Sequence, residues 1–425
     1  MSKTNILFIS LDGLTDPLGQ AQILPYLEGL SSLGYQIHIL SAEKQQPFEL
    51  NEEAIRTRCV KAGIEWHHVS YLYSPPLIGP LMTYFKLSRK SRLLLKTRPF
   101  DVIHARSYLP AMIGLSLKAR FKTKLLFDMR GLWADEKIDG NIWRLSNPVH
   151  FFLFKFLKYK ERILLNRADA IVSLTEKAVD FLKSRFQGSS VPPQISVIPC
   201  CTDLSLFDYN RFPETMRMAV RRELKIRPED FVLCYSGSLS TWYLPAEMMQ
   251  VYKRLLLVKP DAHFLILTKE AEKPILELAE QLDIPLNRII IRNVNRPDVP
   301  LLLSVSDLGI CFIKPAFSKM ASSPVKLGEM LGTGLAVICN HGIGDTDNQI
   351  TLTDAGVICK GYSNEHYDQA IQKAITLMLT KNKDHFRQCA KVLFDLQMGI
   401  GKYDSLYRNL TARPNDDTAH SSKLS

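Results

Sequence analysis

Ser322 to Gly344 reads SSPVKLGEMLGTGLAVICNHGIG. A Ser-Ser-Pro-x-Lys turn opens a helical segment that carries one acidic residue, Glu329, and the apolar run Leu335 to Cys339 follows it. Backbone N–H groups at a helix start, with Lys326 beside them, suit an anion such as a diphosphate. A carboxylate one turn further along can accept hydrogen bonds from a ribose diol. Helix followed at once by a buried strand is also the unit from which parallel sheets are built.

The same alternation extends in both directions. Towards the N-terminus, β-prone runs fall at Asn5–Leu11, Tyr35–Ser41, Phe100–Ala105, Lys124–Asp128, Ala168–Leu174 and Ile195–Pro199, and Gln20–Leu33 has helical spacing closed by Gly34. After the polar stretch Asp208–Asp230 the pattern restarts, with runs at Phe231–Tyr235, His263–Leu267, Ile289–Ile291, Leu308–Phe312, Leu335–Cys339 and Ala355–Ile358. Helical spacing between them covers Ala246–Leu257, Pro274–Leu282, Pro300–Ser304 and Val325–Leu331. The fold class expected is α/β: two Rossmann-like doubly wound domains facing across a cleft, which suits a chain of 425 residues. Ligands in such sheets sit at the carboxyl ends of the strands, so functional residues are expected where the apolar runs stop.

Composition narrows the function. Eight cysteines without a C-x-x-C pair read as reduced core thiols, not metal ligands, and suit a cytoplasmic protein. No signal peptide and no apolar run of membrane-spanning length are recognisable. Residues 1–205 carry 27 Lys+Arg against 18 Asp+Glu, a net +9, whereas the remainder carries 27 against 25. Residues 66–100 hold no acid but do hold Lys86, Arg89, Lys90, Arg92, Lys96 and Arg98. Lys155, Lys158 and Arg162 form a helical stripe next to Phe151–Phe154. Aromatics mixed with bases suit an anionic membrane surface, or simply two solvated helix faces; no nucleic-acid motif accompanies them. The absence of G-x-G-x-x-G after the first strand disfavours a dehydrogenase, and the absence of G-x-x-x-x-G-K-[ST] disfavours a P-loop enzyme.

The candidate site residues follow from position. Gly19 lies where a small residue lets backbone approach a ligand, or serves only the turn Asp16–Gly19. His104, Arg106, Asp128 and Arg130 end two strands of one sheet and read as sugar- or phosphate-facing groups, with an Asp128–Arg130 structural pair as the alternative. Gly237 and Ser238 end the first strand of the second domain and offer donors to phosphate, or form a plain connector; Trp242 and Tyr243 read as packing. Asp345 and Asp347 read as a helix-capping turn rather than a cation site.

These segments resemble the retaining glycosyltransferases of family four, which have the GT-B fold. The resemblance runs through LGQAQILPYLEGLSSLGYQIHIL (18–40), DVIHARSYLP (101–110), FDMRGLWADEKIDG (127–140), ERILLNRADAIVSLTEKA (161–178), ISVIPCCTDLSLF (195–207), YSGSLSTWY (235–243), VPLLLSVSDLGICF (299–312) and SSPVKLGEMLGTGLAVICNHGIGD (322–345). The closing KYDSLYRNL (402–410) is similar to the last helix of such enzymes, which crosses back onto the first domain. There are departures: Ala321 stands where the family has the first of two glutamates, no arginine or lysine follows Gly237 up to Tyr243, Arg130 stands where many relatives have histidine, and Cys200-Cys201 replaces Asn-Gly.

The restart of the pattern sets domains over 1–205 and 206–395, which the resemblance implies bind the acceptor and the nucleotide sugar; it also implies a returning helix over 396–411, and the polar, unpatterned stretch 412–425 reads as a disordered tail. The resemblance implies retaining, metal-independent sugar transfer from a nucleotide-diphosphate sugar, with no cofactor and no metal site. It assigns His104, Asp128 and Arg130 to the reacting centre, Arg106 to the acceptor, and Arg292, Asn293, Ser323, Lys326 and Glu329 to the donor, Glu329 at the ribose and Arg292–Asn295 at the nucleobase; Gly19, Gly237 and Ser238 join the donor set by their positions. The acceptor expected is a glycan or lipid-linked glycan of polysaccharide or cell-envelope assembly. The location expected is cytoplasmic, peripheral on the inner membrane face through the first domain. A nucleotide-sugar epimerase of similar architecture, or a nucleotide-binding protein without turnover, is the alternative.

Overall fold

The computed structural model describes residues 3–75, 78–184 and 193–412. The first half runs β1 (Asn5–Ser10), α1 (Pro17–Gln22), α2 (Leu24–Ser32), β2 (Gln36–Glu43), α3 (Gln45–Lys61), β3 (Glu65–Ser70), α4 (Ile78–Thr97), β4 (Val102–Arg106), α5 (Tyr108–Phe121), β5 (Lys124–Asp128), α6 (Trp133–Asp139), α7 (Pro148–Arg167), β6 (Ala170–Ser173), α8 (Glu176–Lys183) and β7 (Gln194–Val197). The second half runs α9 (Glu214–Glu223), β8 (Val232–Ser236), α10 (Pro245–Val258), β9 (His263–Leu267), α11 (Lys273–Gln281), β10 (Ile289–Arg292), α12 (Val299–Ser304), β11 (Leu308–Cys311), α13 (Val325–Gly332), β12 (Ala336–Asn340), α14 (Thr346–Thr353), β13 (Gly356–Cys359), α15 (Asn364–Thr380), α16 (Lys383–Phe394) and α17 (Leu396–Thr411).

Two parallel sheets result, ordered β3-β2-β1-β4-β5-β6-β7 and β10-β9-β8-β11-β12-β13. The strand order reverses between β1 and β4 in one and between β8 and β11 in the other, and these switch points are where doubly wound sheets open a crevice. β3 escapes the apolar signal because EWHHVS is a half-exposed edge strand whose polar positions break the run. The helix expected over Gln20–Leu33 breaks at Ile23 (φ −123°), because Pro25 removes one backbone donor and its ring collides with the preceding turn.

Strand alternation assigns the two faces of the first sheet. Val102 and Leu126 pack with Tyr26, Leu27 and the α17 residues Ile400, Tyr403 and Tyr407, while Ile103, Ala105, Leu125 and Phe127 face α4, α5 and α7. His104, Arg106 and Asp128 share the parity of Val102 and Leu126, so they point towards α17. The second sheet and its helices form one continuous core.

The chain crosses between the halves twice, side by side. Thr202 N–H donates to the Phe394 carbonyl (2.7 Å) and Leu396 N–H donates to the Thr202 carbonyl (3.1 Å). α17 then lies along α2, with buried Ile400 over Gly29, where any side chain would collide with it. Ile400→Ala is expected to destabilise the chain by about 2–5 kcal/mol through the cavity it leaves, measured as a lower urea midpoint. The expected tail over 412–425 lies, from residue 413 onwards, outside the described residues.

Candidate active site

α13 opens at Val325 without a side-chain cap, so its first N–H groups are not satisfied by Ser322 or Ser323. Lys326 and Glu329 are one turn apart on this helix and both are buried. Lys326 Nζ donates to the Tyr235 hydroxyl (2.9 Å) and stands 3.6 Å from the Tyr243 ring centroid and 4.5 Å from that of Tyr235. Gly237 makes room for it: with φ +127°, the glycine places backbone where a Cβ would be 2.7 Å from that amine. Burial pulls Lys326 down to about 8, and the Glu329 carboxylate only partly offsets that. Among the described residues no carboxylate lies within ion-pair distance of this amine, which leaves its charge open to an anionic ligand.

Glu329 accepts from Arg296 Nη1 (2.8 Å), and Arg296 also lies over the Phe207 ring. Gly328, between the two polar residues, has no space for a Cβ because Thr202 and Phe394 press on it. The helix that carries the charges is therefore seated directly on the double crossing.

Across the crevice, Ser323 Oγ accepts from Cys200 N–H (3.1 Å). Arg130 Nη2 donates towards Cys200 Sγ (3.3 Å) and Gln22 Oε1 (3.5 Å), and its Nη1 is 3.6 Å from Asp128 Oδ1. Cys200, where the family pattern has asparagine, thus joins the two walls: α13 on one side, the end of β5 on the other. Arg130 keeps its charge, since Asp128 more than offsets its burial.

His104 and Asp128 lie one layer deeper. His104 Nδ1 is 2.7 Å from the Tyr407 hydroxyl, and its Nε2 is 3.6 Å from Asp128 Oδ2. Tyr403 and Tyr407 of α17 cover both. Burial depresses His104, and burial of Asp128 is outweighed by Arg130, His104 and Arg106, which hold that carboxyl at about 2. Arg106 spans Asp128 (3.6 Å) and Asp12 (3.2 Å) in the loop after β1. His104 and Asp128, expected at the reacting centre, are buried beneath Arg130, and strand parity turns His104 to α17.

Other candidates also move. Gly19 is buried against the Gly13 carbonyl and serves a tight backbone crossing, with buried Glu43 accepting from Leu14 N–H (2.8 Å) and Thr15 N–H (3.1 Å) to hold the same loop. The Ser238 hydroxyl donates to Glu270, and Ser240 N–H also donates to that carboxylate (3.3 Å), so the donors expected to meet phosphate are engaged within their own domain. Arg292 and Asn293 are exposed at the end of β10, Arg292 turned onto the Ile291 carbonyl, and Arg296 reaches Glu329 instead. Ala321 packs in the first core, while Lys319 beside it pairs with Glu136 of α6 (3.0 Å) and lies over the Trp242 ring. Asp345 accepts from Glu176 N–H (2.7 Å) and Lys177 N–H (3.2 Å), capping α8 of the other domain, and Asp347 meets His341 (2.7 Å). Sequence reading missed Arg296, Tyr235, Glu270 and Glu136, although Tyr235 and Glu136 stand within the segments 235–243 and 127–140 that carry the resemblance; Tyr243, read as packing, also carries Lys326.

Two family models divide the chain: Glycosyltransferase Family 4 matches residues 23–206, and Glycosyl transferases group 1 matches residues 216–391. No curated protein matches by sequence. Among solved structures, the chain is similar to a glycosyltransferase from Rickettsia africae ESF-5 (TM-score 0.71, 16% identity, 96% of this chain and 99% of that one). It is also similar to Anabaena Alr3699/HepE in complex with UDP and glucose (TM-score 0.66, 14% identity, 96% and 100%). WaaG, a glycosyltransferase involved in lipopolysaccharide biosynthesis, aligns with TM-score 0.65 at 14% identity over 96% and 100%. At such identities the solved structures speak for the fold, and the two models, one for each sheet, speak for the family. The chain belongs to the family-four glycosyltransferases of the GT-B fold.

Proposed function

We propose that this enzyme moves a sugar from a nucleotide-diphosphate sugar to a glycan or lipid-linked acceptor, with retention of configuration and without a metal. One observation carries the reading: Lys326 and Glu329 share a helix whose start faces Arg130 across the crevice, through Ser323 and Cys200. Glu329 would exchange Arg296 for the ribose diol. The bond from the anomeric carbon to the diphosphate oxygen breaks with its electron pair going to phosphate. Lys326, Arg130 and the α13 N-terminus meet that growing charge. The acceptor oxygen bonds to the same face of the anomeric carbon, and its proton passes to the departing phosphate oxygen. No side-chain base is then required, which agrees with the covered position of His104.

The acceptor side of the proposal rests on the first domain's outer face. α4 and α7 flank α5 on one side of the sheet. Their outward residues include Phe85 (59% exposed), Phe152 (69%) and Tyr159 (60%), with Ile78, Leu81, Met82 and Phe156. Lys86, Arg89, Lys90, Arg92, Lys96, Lys155 and Arg162 are exposed among them. Lys158, expected in this basic stripe, is instead paired with Asp135 (2.8 Å). No helix among the described residues is long and apolar enough to cross a membrane. Aromatic rings with bases around them suit the headgroup layer of anionic lipid, where each base contributes about 1 kcal/mol, and a lipid-linked acceptor would be met there. The full chain is expected to co-sediment with anionic vesicles at low salt and to be released by salt, with Phe152→Ser and Phe156→Ser together weakening the binding about tenfold or more. No binding at low ionic strength would leave only a water-soluble acceptor. Incubation of donor with enzyme alone separates the alternative: an epimerised sugar would favour epimerase chemistry.

A further inference from the structure

The edge of the first sheet brings three metal-type donors together, away from the crevice. In the β2–β3 register His38 pairs with Glu65 and Leu40 with His67. Residues two apart on a strand face the same side, so Glu65, His67 and His38 rise from one face. One donor atom from each lies within 4.8 Å of the others. His38 Nδ1 is 3.3 Å and His67 Nε2 is 3.8 Å from Glu65 Oε2. Tetrahedral zinc with bonds of about 2.0–2.1 Å sets its ligands about 3.4 Å apart, so both imidazoles already stand near that spacing from Glu65, and a turn of the His67 ring, which lies nearly parallel to His38, completes the set.

Two further observations point to a cation. His67 Nε2 is buried without a hydrogen-bond partner among the described residues. A positive group already stands among the donors: Arg98 Nη1 donates to Glu65 Oε1 (2.8 Å) and lies 3.3 Å from His38 Nε2. Arg98 follows the end of α4 with its side chain 41% exposed, free to turn outwards.

We propose that His38, Glu65 and His67 form a three-ligand zinc(II) site, completed by water, from which the Arg98 guanidinium is displaced when the metal binds. Two imidazoles and one carboxylate are a donor set that zinc accepts, with water in the remaining position. Two imidazoles select zinc over magnesium or calcium. The metal clips the edge strand β3 onto β2, apart from the transfer centre, and none of the three residues belongs to the proposed donor or acceptor contacts.

The test titrates the full chain, stripped with a chelator, with zinc against a competing chromophoric chelator. The eight cysteines are all buried and do not compete in the folded protein. One equivalent is expected to bind and to raise the thermal midpoint. His67→Ala is expected to weaken zinc by at least ~100-fold, beyond the loss of an outer-shell partner, and the near-isosteric Glu65→Gln to weaken it as well. Arg98→Ala is expected to bind zinc at least as tightly as the parent, because a competing cation is gone. Magnesium is expected to leave the thermal midpoint unchanged. No binding, or equal affinity in the parent and both ligand variants, overturns the site. Weaker binding in Arg98→Ala overturns the displacement. Variants are compared at matched thermal midpoints without zinc, so misfolding is not mistaken for ligand loss; if His67→Ala fails to fold, Glu65→Gln decides.

Discussion

Glu329→Ala is expected to weaken nucleoside-diphosphate binding about 100-fold while leaving the fold intact. A carboxylate that accepts from both hydroxyls of a ribose makes two charge-assisted hydrogen bonds, each worth about 1.5–3 kcal/mol. Losing even the lower pair is near two decades of affinity, since about 1.4 kcal/mol is tenfold. The cost to the free protein is small for a structural reason. Glu329's partner Arg296 is partly exposed, so solvent takes over the guanidinium when the carboxylate is removed. Its neighbour Gly328, not Glu329 itself, makes the close contact with Thr202 and Phe394. Calorimetric titration with nucleoside diphosphates reads the effect directly. Equal affinity in variant and parent would remove the ribose role and with it the donor site proposed on α13.

Lys326→Met is expected to lower kcat by about 10²–10³, the range seen when one preorganised stabiliser of developing charge is removed. Methionine fills the space between Tyr235 and Tyr243 without the penalty of a buried charge, so a loss of stability is not expected. The same lysine sets a pH dependence. Its amine falls to about 8 in the free enzyme because of burial. A diphosphate beside it favours the protonated form, so binding draws a proton. Donor affinity is therefore level below pH 8 and declines above it, by up to about tenfold per unit, because the neutral amine must first be charged. Lys326→Met abolishes this decline. A parent profile that stays flat from pH 7 to 10 would show that Lys326 does not meet the donor.

The legible and illegible parts of the site divide along one line. Lys326 and Glu329 were readable because both stand on a single helix, three residues apart, in a segment whose spacing alone places them on one side. Gly237 was readable as the end of a strand, but its use was not: it clears space for an amine 89 residues further along. Ser238 looked like a phosphate donor until Glu270, from the next strand's loop, took its hydroxyl. His104 looked like a cleft residue because it ends an apolar run. What places it under Tyr407, 303 residues away, is the return of α17 to cover that face of the sheet. Arg296 carried no signal, since pairing with Glu329 depends on how the loop after β10 curls over α13.

Local patterns alone determined the alternating strands and helices, the restart after residue 230 and hence two parallel α/β sheets. They also determined that a lysine and a glutamate sit together behind a helix start. Those features depend on periodicity and on backbone geometry, which act over a few residues. Only tertiary structure decided which strand-end groups face the crevice, which lie beneath α17, and which cation each carboxylate holds. These depend on burial and on contacts between segments distant in the chain, where desolvation and pairing, not spacing, set the charge and the position of each group.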